Sequence, residues 1–265
     1  MKTRILLAIA LPIILCTPIV ADALTNEPAA YTGSGDRQTR GGPMETIAPE
    51  DSERARASGS QTPPPAAGSE KEEARSAPEP LLVNKRRALP AGYTPPDLRA
   101  AGIPFACGEH EPKRKMRHEA AAAIERLFAA AADDNIELIG VSAYRSYERQ
   151  EAIFAAHVER DGPEAANRVS ARPGESEHQT GLAIDVSSPS VGGQLTEAFA
   201  ETDEGRWLAD NAPRFGFIVR YPKGKEDVTG YQYEPWHLRY VGRSHAEAIA
   251  ARGLTLEEYM AAHAT

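Results

Sequence analysis

Two short segments of this chain carry the side chains best suited to chemistry. In Ser176-Glu177-His178-Gln179-Thr180-Gly181-Leu182-Ala183-Ile184-Asp185 an imidazole and a carboxylate stand seven residues apart, with a glycine between them. Further along, Glu234-Pro235-Trp236-His237 offers a second imidazole with a carboxylate three positions before it. Two histidines and one aspartate form a natural ligand set for Zn2+, which binds such groups at roughly 2.0–2.2 Å and keeps a fourth position open where it catalyses. His178, Asp185 and His237 are therefore the candidate ligands. Glu234 is then free to act as general base toward a water that the metal acidifies to a pKa of about 7.

These residues need elements that bring them together. On one straight strand an odd offset points two side chains to opposite faces, so His178 and Asp185 converge only if the chain turns near Gly181 ahead of a strand. Residues 182–186, 236–241 and 137–143 read as short strands. Pro235 fixes its own φ and biases Glu234 to an extended conformation, which holds the spacing to His237. Residues 119–132 have helical spacing with Ile124, Leu127 and Phe128 on one face, ended by Asp133-Asp134-Asn135. Residues 147–159 repeat that spacing with Ile153, Phe154 and Val158 inward, residues 205–211 and 244–252 are helical, and Thr255 with Glu258 forms a capping box for a last helix. Helices and strands mix without regular βαβ alternation. The expected fold is α+β, a small and mainly antiparallel sheet with flanking helices and the zinc site on the sheet.

The two segments together resemble the S-x-H-x-x-G-x-A-x-D and E-x-W-H motifs of VanY-type D-alanyl-D-alanine carboxypeptidases. That group of zinc peptidases also includes VanX, the L-alanyl-D-glutamate endopeptidases and the zinc domain of hedgehog proteins. The resemblance runs from about Leu82 to Tyr259 and includes VNKRRALPAGYTPPDL at 83–98, SAYRSYERQ at 142–150 and GYQYEPWHLRYVG at 230–242. It implies that His178, Asp185 and His237 bind zinc, that Glu234 is the catalytic base and that Arg145 binds substrate. A guanidinium suits the last task because it pairs with a carboxylate or with a developing oxyanion. Ser176 matches a serine that contacts substrate in relatives, with a turn residue as the competing reading, and Gln150 is a further candidate for the same cleft, with a structural role competing. Ala143 stands where relatives often have Gly. The implied function is removal of the C-terminal D-Ala from peptidoglycan stem peptides or their precursors. Two alternatives stay open: an L,D-carboxypeptidase acting on tetrapeptides, and a non-catalytic zinc-stabilised binding module, against which the presence of Glu234 argues.

The rest of the chain frames this domain. Of 265 residues, nearly all the aromatic and β-branched ones lie beyond Leu81, so one folded domain over residues 81–265 is expected. The formal net charge of -8 argues against a nucleic-acid partner. Residues 1–23 read as an export signal, with Lys2 and Arg4, an apolar run and a small-x-small site at Ala21-Asp22-Ala23. An uncleaved membrane anchor is the alternative. Residues 24–80 are rich in Pro, Ser, Glu and Arg and poor in apolar side chains, which predicts a disordered tether. The protein is thus placed outside the cytoplasm, in the periplasm or the extracellular cell-wall space, as a monomer. Removal of the leader leaves Cys107 as the one cysteine, which excludes an intrachain disulfide and reads as a small buried thiol. The basic clusters at 85–87 and 113–117 read as solvated surface, the second opening a helix, and His110, His118, His157, His245 and His263 read as surface. Tyr144, Tyr147, Tyr231, Tyr233 and Trp236 are candidates for the pocket wall, with core packing as the plainer reading.

Overall fold

The computed structural model describes residues 79–263. The expected signal and all but the last two residues of the expected tether lie outside them. Among the described residues no helix is long and apolar enough to cross a membrane.

In chain order the elements are β1 (Leu98–Ala100), β2 (Lys115–Arg117), α1 (His118–Asp133), β3 (Ile139–Ser142), α2 (Tyr147–Asp161), α3 (Pro163–Val169), β4 (Ala183–Ser187), α4 (Asp203–Asn211), β5 (Phe217–Tyr221), α5 (Glu226–Thr229), β6 (Glu234–Tyr240), α6 (Arg243–Arg252) and α7 (Leu256–His263). Strands β3, β4, β6 and β5 form one sheet in that order, every pair antiparallel, and β1 pairs with β2 as a separate ribbon. The α+β expectation therefore matches the observed mixture of helices and antiparallel sheet.

Alternation along the strands divides the sheet into two unlike faces. Ile184 and Val186 of β4, Trp236 and Leu238 of β6 and Phe217 of β5 join the main apolar cluster. That cluster also takes in the α1 face of Ala120, Ala121, Ile124 and Leu127, whose alanines let the helix lie close, and Leu208 of α4. Burying a side chain of Leu or Ile size contributes about 1.5–3 kcal/mol. The intervening residues Asp185, His237, Arg239, Ile218 and Arg220 point the other way. There Ile218 packs with Val241, Ala246, Ile249, Leu256, Tyr259 and Met260, which seats α6 and α7. The polar residues beside Ile218 on this second face build the site.

Local signals hold the helix starts. Ser146 accepts a hydrogen bond from the Arg149 N–H at 3.2 Å. Thr255 and Glu258 exchange bonds at 2.7 and 3.1 Å, the expected capping box. Other expectations are corrected. Lys113 and Arg114 sit in a 3-10 turn and Lys115 and Arg117 in β2, so the helix opens only at His118, because β2 spends its backbone on pairing with β1. Arg117 is half-buried on Asp97, and Lys85 donates to the carbonyls of Asn167 and Gly230. Helix α2 buries Gln150, and Ile153, Phe154 and Val158 are only half-buried, since the helix packs mainly on α3 as an outer wall. His245 is buried against the Tyr259 hydroxyl, and Cys107 is half-exposed.

Gly181 closes the turn ahead of β4 with φ at +67°, and a Cβ there would come within 2.7 Å of Leu98 Cδ2. Gly181→Ala combines left-handed strain with overpacking and is expected to cost about 2–4 kcal/mol. Urea unfolding of the metal-free protein measures this; a loss under about 1 kcal/mol would show that the turn tolerates a side chain.

Candidate active site

Asp185 of β4 stands directly opposite His237 of β6 in the antiparallel register. Paired residues share a face with their Cβ atoms about 4.5–5.5 Å apart, so the strand pairing itself delivers two candidate ligands to one point. His237 Nδ1 lies 3.0 Å from Asp185 Oδ1. His178 arrives from the 3-10 turn Glu177–Thr180, which Gly181 ends. Its Nδ1 lies 2.6 Å from the Ala143 carbonyl. A carbonyl only accepts, so Nδ1 carries the proton and leaves Nε2 bare, 3.4 Å from Asp185 Oδ2.

All three side chains are buried, and their ligand atoms lie within 4.8 Å of one another. Ligands about 2.0 Å from a tetrahedral ion stand roughly 3.3 Å apart, so this donor set fits zinc.

Glu234 reaches the same point by an irregularity. An offset of three along a regular strand would turn it away from His237. Between the pairs Val219↔Leu238 and Tyr221↔Glu234, however, β5 has one residue and β6 has three, a bulge that turns Glu234 back. Glu234 Oε2 comes to 4.0 Å from His237 Nδ1. Burial pushes its carboxyl up to about 7; His237 and Arg145 pull down and Asp185 pushes further up. Asp185 is as deeply buried, yet His178 and His237 hold its carboxyl far below the usual range. Two carboxylates on one site are thereby split into a charged candidate ligand and a group poised to take a proton. Burial works against a charged His237, but its bonds to Asp185 and Glu177 raise it to about 9, so metal must displace a proton there.

Arg145 closes the remaining side. Its Nη2 lies 3.8 Å from Asp185 Oδ2 and donates to Ser142 Oγ at 3.2 Å, and its Nη1 donates to Gln150 Oε1 at 2.9 Å. Gln150 is a correction to the cleft expectation. It is buried behind Arg145, with its amide nitrogen donating to the Ala171 carbonyl at 2.6 Å, and it positions the guanidinium without walling the cleft. Ser176 does line the cleft, as do Tyr231 and Trp236 and, at its outer end, His157. The Tyr231 hydroxyl has no protein partner. Tyr144, Tyr147 and Tyr233 are half-buried outside that wall. The cleft holds about 340 Å³. A larger hollow of about 520 Å³ beside Ile103, Phe128 and Ile136 contains none of the candidate residues, so chemistry and not volume identifies the site.

Sequence reasoning passed over Glu177, Tyr221, Arg220 and Arg239. Glu177 Oε2 stands 3.5 Å from His237 Nε2, and the Tyr221 ring stacks on His237 with centroids 4.9 Å apart. The signal was the alternation in residues 236–240, where His237 and Arg239 interrupt an apolar strand at every second position.

Exchanging His178, Asp185 or His237 for Ala is expected to lower bound zinc and activity together, because each removes one of three protein ligands. Metal analysis beside an activity assay checks this; full occupancy in one variant would strike that residue from the ligand set.

Comparison with known proteins adds an independent line. The VanY family model, described as D-alanyl-D-alanine carboxypeptidase, matches residues 113–243. A D-alanyl-D-alanine carboxypeptidase of Enterococcus faecalis is 35% identical over 68% of this chain and 65% of its own length. The structure of the LdcB LD-carboxypeptidase is 53% identical with a TM-score of 0.66, covering 68% of this chain and 84% of that one. The vancomycin-resistance D,D-pentapeptidase VanY, solved with Zn(II), is 35% identical with a TM-score of 0.56, covering 68% and 97%. The chain spans 65% of the length of the first curated relatives it matches. With its motifs, its fold and these likenesses in agreement, the chain belongs to the VanY family of D-alanyl-D-alanine carboxypeptidases.

Proposed function

We propose that this protein is a zinc carboxypeptidase that removes a C-terminal D-Ala from peptidoglycan stem peptides or their precursors. The observation that carries the proposal is the convergence of His178 Nε2, Asp185 and His237 Nδ1 beside Glu234, with Arg145 opposite. Bound zinc supplies Lewis acidity, polarising a carbonyl and making water nucleophilic near neutral pH. The chain's own groups do the rest. Glu234, with its carboxyl near 7, takes a proton from the attacking water and returns it to the leaving amine. Arg145, fixed by Gln150 and Ser142, presents a planar fork to the substrate's carboxylate or to the oxyanion. Ser176 and Tyr231 supply hydroxyls in the cleft wall. Site of action outside the cytoplasm, in the periplasm or cell-wall space, belongs to the same proposal and rests on the leader-like residues 1–23.

A second reading within this chemistry is an L,D-carboxypeptidase trimming tetrapeptides, favoured by the 53% identity to an LD-carboxypeptidase. Purified protein incubated with synthetic tri-, tetra- and pentapeptide stems separates the readings. Release of D-Ala from pentapeptide supports the D,D activity and release from tetrapeptide the L,D activity. Zinc binding with no turnover of any D-Ala-terminated peptide would leave only a binding module. C-terminal amides of the same peptides should be poor substrates if Arg145 reads the carboxylate.

Glu234→Gln is nearly isosteric and cannot take a proton. It is expected to keep zinc while kcat falls by roughly 10²- to 10⁴-fold with KM little changed. In the wild type, kcat/KM should decline as pH drops below about 7, where Glu234 is protonated, and metal content at each pH separates this from zinc loss. A Gln variant retaining more than about a tenth of kcat would overturn the assignment.

A further inference from the structure

Glu177 occupies a position unlike that of any other carboxylate in the domain. It is 1% exposed, adjoins His178 in the 3-10 turn and faces the far edge of His237. Its Oε1 receives two charged donors, Arg220 Nε and Arg239 Nη1, each at 2.7 Å. Both arginines are 0% exposed. They are brought there by the strand pattern that brings His237, since Ile218 pairs with Arg239 and the alternate residues share the second face. Arg220 continues to Glu257 of α7 in a bidentate pair at 2.6 and 2.8 Å, and Glu257 accepts from Asn84 at 3.0 Å. Arg239 also donates to the Leu81 carbonyl. Two arginines and two glutamates thus balance in charge within the interior, and the other oxygen of Glu177, Oε2, is left for His237 Nε2 at 3.5 Å.

We propose that Glu177 is a positioning residue for the metal site: clamped by Arg220 and Arg239, its second oxygen holds the proton on Nε2 and the tilt of the His237 ring, so that Nδ1 is the nitrogen offered to the metal beside Asp185. The reasoning is one of donors and acceptors. Carboxylates accept and do not donate, and both ring nitrogens of His237 face one, Nδ1 at 3.0 Å from Asp185 and Nε2 at 3.5 Å from Glu177. A metal that displaces the proton from Nδ1 leaves the remaining proton on Nε2, where Glu177 accepts it. A partner on the far nitrogen of a ligating histidine holds the ring and strengthens the ligand, and its loss costs about 10- to 100-fold in metal affinity. Buried ion pairs contribute little net stability compared with apolar packing, so the cluster is poorly explained as a stabilising device.

The test uses three variants of the full chain and reads zinc affinity by chelator competition, with the visible spectrum of the Co2+-substituted protein as a second measure. In Glu177→Gln the two arginines claim the amide oxygen, which leaves the NH2 group facing Nε2. Two donors then oppose each other, His237 must move its proton to Nδ1, and zinc affinity is expected to fall about 10- to 100-fold with a changed Co2+ spectrum. Glu177→Asp keeps an acceptor but withdraws it by one methylene, and is expected to fall between wild type and Gln. Glu257→Gln disturbs the same ion cluster without touching a ligand, so it is expected to lower the melting temperature and keep zinc affinity within about threefold.

A Gln variant that binds zinc within threefold of wild type overturns the proposal. So does a Glu257→Gln protein that loses as much affinity as the Gln variant, because the effect would then be one of general loosening. Should Glu177→Gln fail to fold, the Asp variant decides: affinity reduced threefold or more supports the positioning role, and unchanged affinity overturns it. The inference rests on the zinc reading of the site, and wild-type protein that takes up no zinc at all would overturn that reading first.

Discussion

The pairing of β4 with β6 is the constraint on which the site depends. Asp185 opposite His237 places two donors on one sheet face without help from any loop. A one-residue slip of β4 would send Asp185 to the apolar face, away from His237, and Ile184 and Val186 to the polar one. The register is therefore fixed twice, once by the main core under Ile184, Val186, Trp236 and Leu238 and once by the groups that meet on the other side. Catalytic geometry and hydrophobic burial select the same alignment. The remaining participants are adjustments to that frame: a glycine-ended turn for His178, a β6 bulge for Glu234 and a short loop after β3 for Arg145.

The second face of the sheet carries an unusual density of charge for a buried surface. Asp185, Glu234 and Arg145 surround the ligand histidines, and Glu177, Arg220, Arg239 and Glu257 lie behind them. Moving such groups out of water is costly unless each finds a partner. Here each carboxylate meets at least one guanidinium or imidazole, and burial acts differently on each according to that partner. Asp185, between two imidazoles, stays charged; Glu234, with the weaker compensation, sits near neutrality. In the proposed mechanism the two glutamates that flank His237, at 177 and 234, divide the labour between orientation and proton transfer.

Much of this was legible in the sequence because the candidate ligands lie in two compact motifs and the turn at Gly181 has a steric signature. The antiparallel α+β class, the helix over residues 119–132, the strand around Asp185 and the Thr255–Glu258 cap all followed from periodicity and capping chemistry. Strand β5 did not, because Arg220 interrupts its apolar run; an arginine in that position reads as exposed until its carboxylate partner, 43 residues away in sequence, is known. Gln150, a cleft candidate with a structural role competing, shows the same limit in reverse. Its position relative to Arg145 was visible, but the hydrogen bonds that turn it into a support come from Ser170 and Ala171 on the segment after α3. His245 looked like a surface histidine on a polar helix, and only the packing of α6 against α7 buries it on Tyr259.

The same distinction explains why the metal motifs do not separate D,D from L,D substrates. Both present a D-amino acid with a free carboxylate, so in the proposed reaction His178, Asp185, His237, Glu234 and Arg145 have the same task in either case. The two reactions differ in the configuration of the residue on the other side of the scissile bond, D in one and L in the other. On the proposed function, discrimination falls to cleft walls away from the candidate ligands, where Ile153, His157, Val169 and Tyr231 lie. These residues sit on α2, at the end of α3 and in the segment before β6, outside the two motifs that define the chemistry. A family can keep its ligand set and change its substrate by altering such walls, since D- and L-residues direct their side chains differently while the bond to be broken is the same.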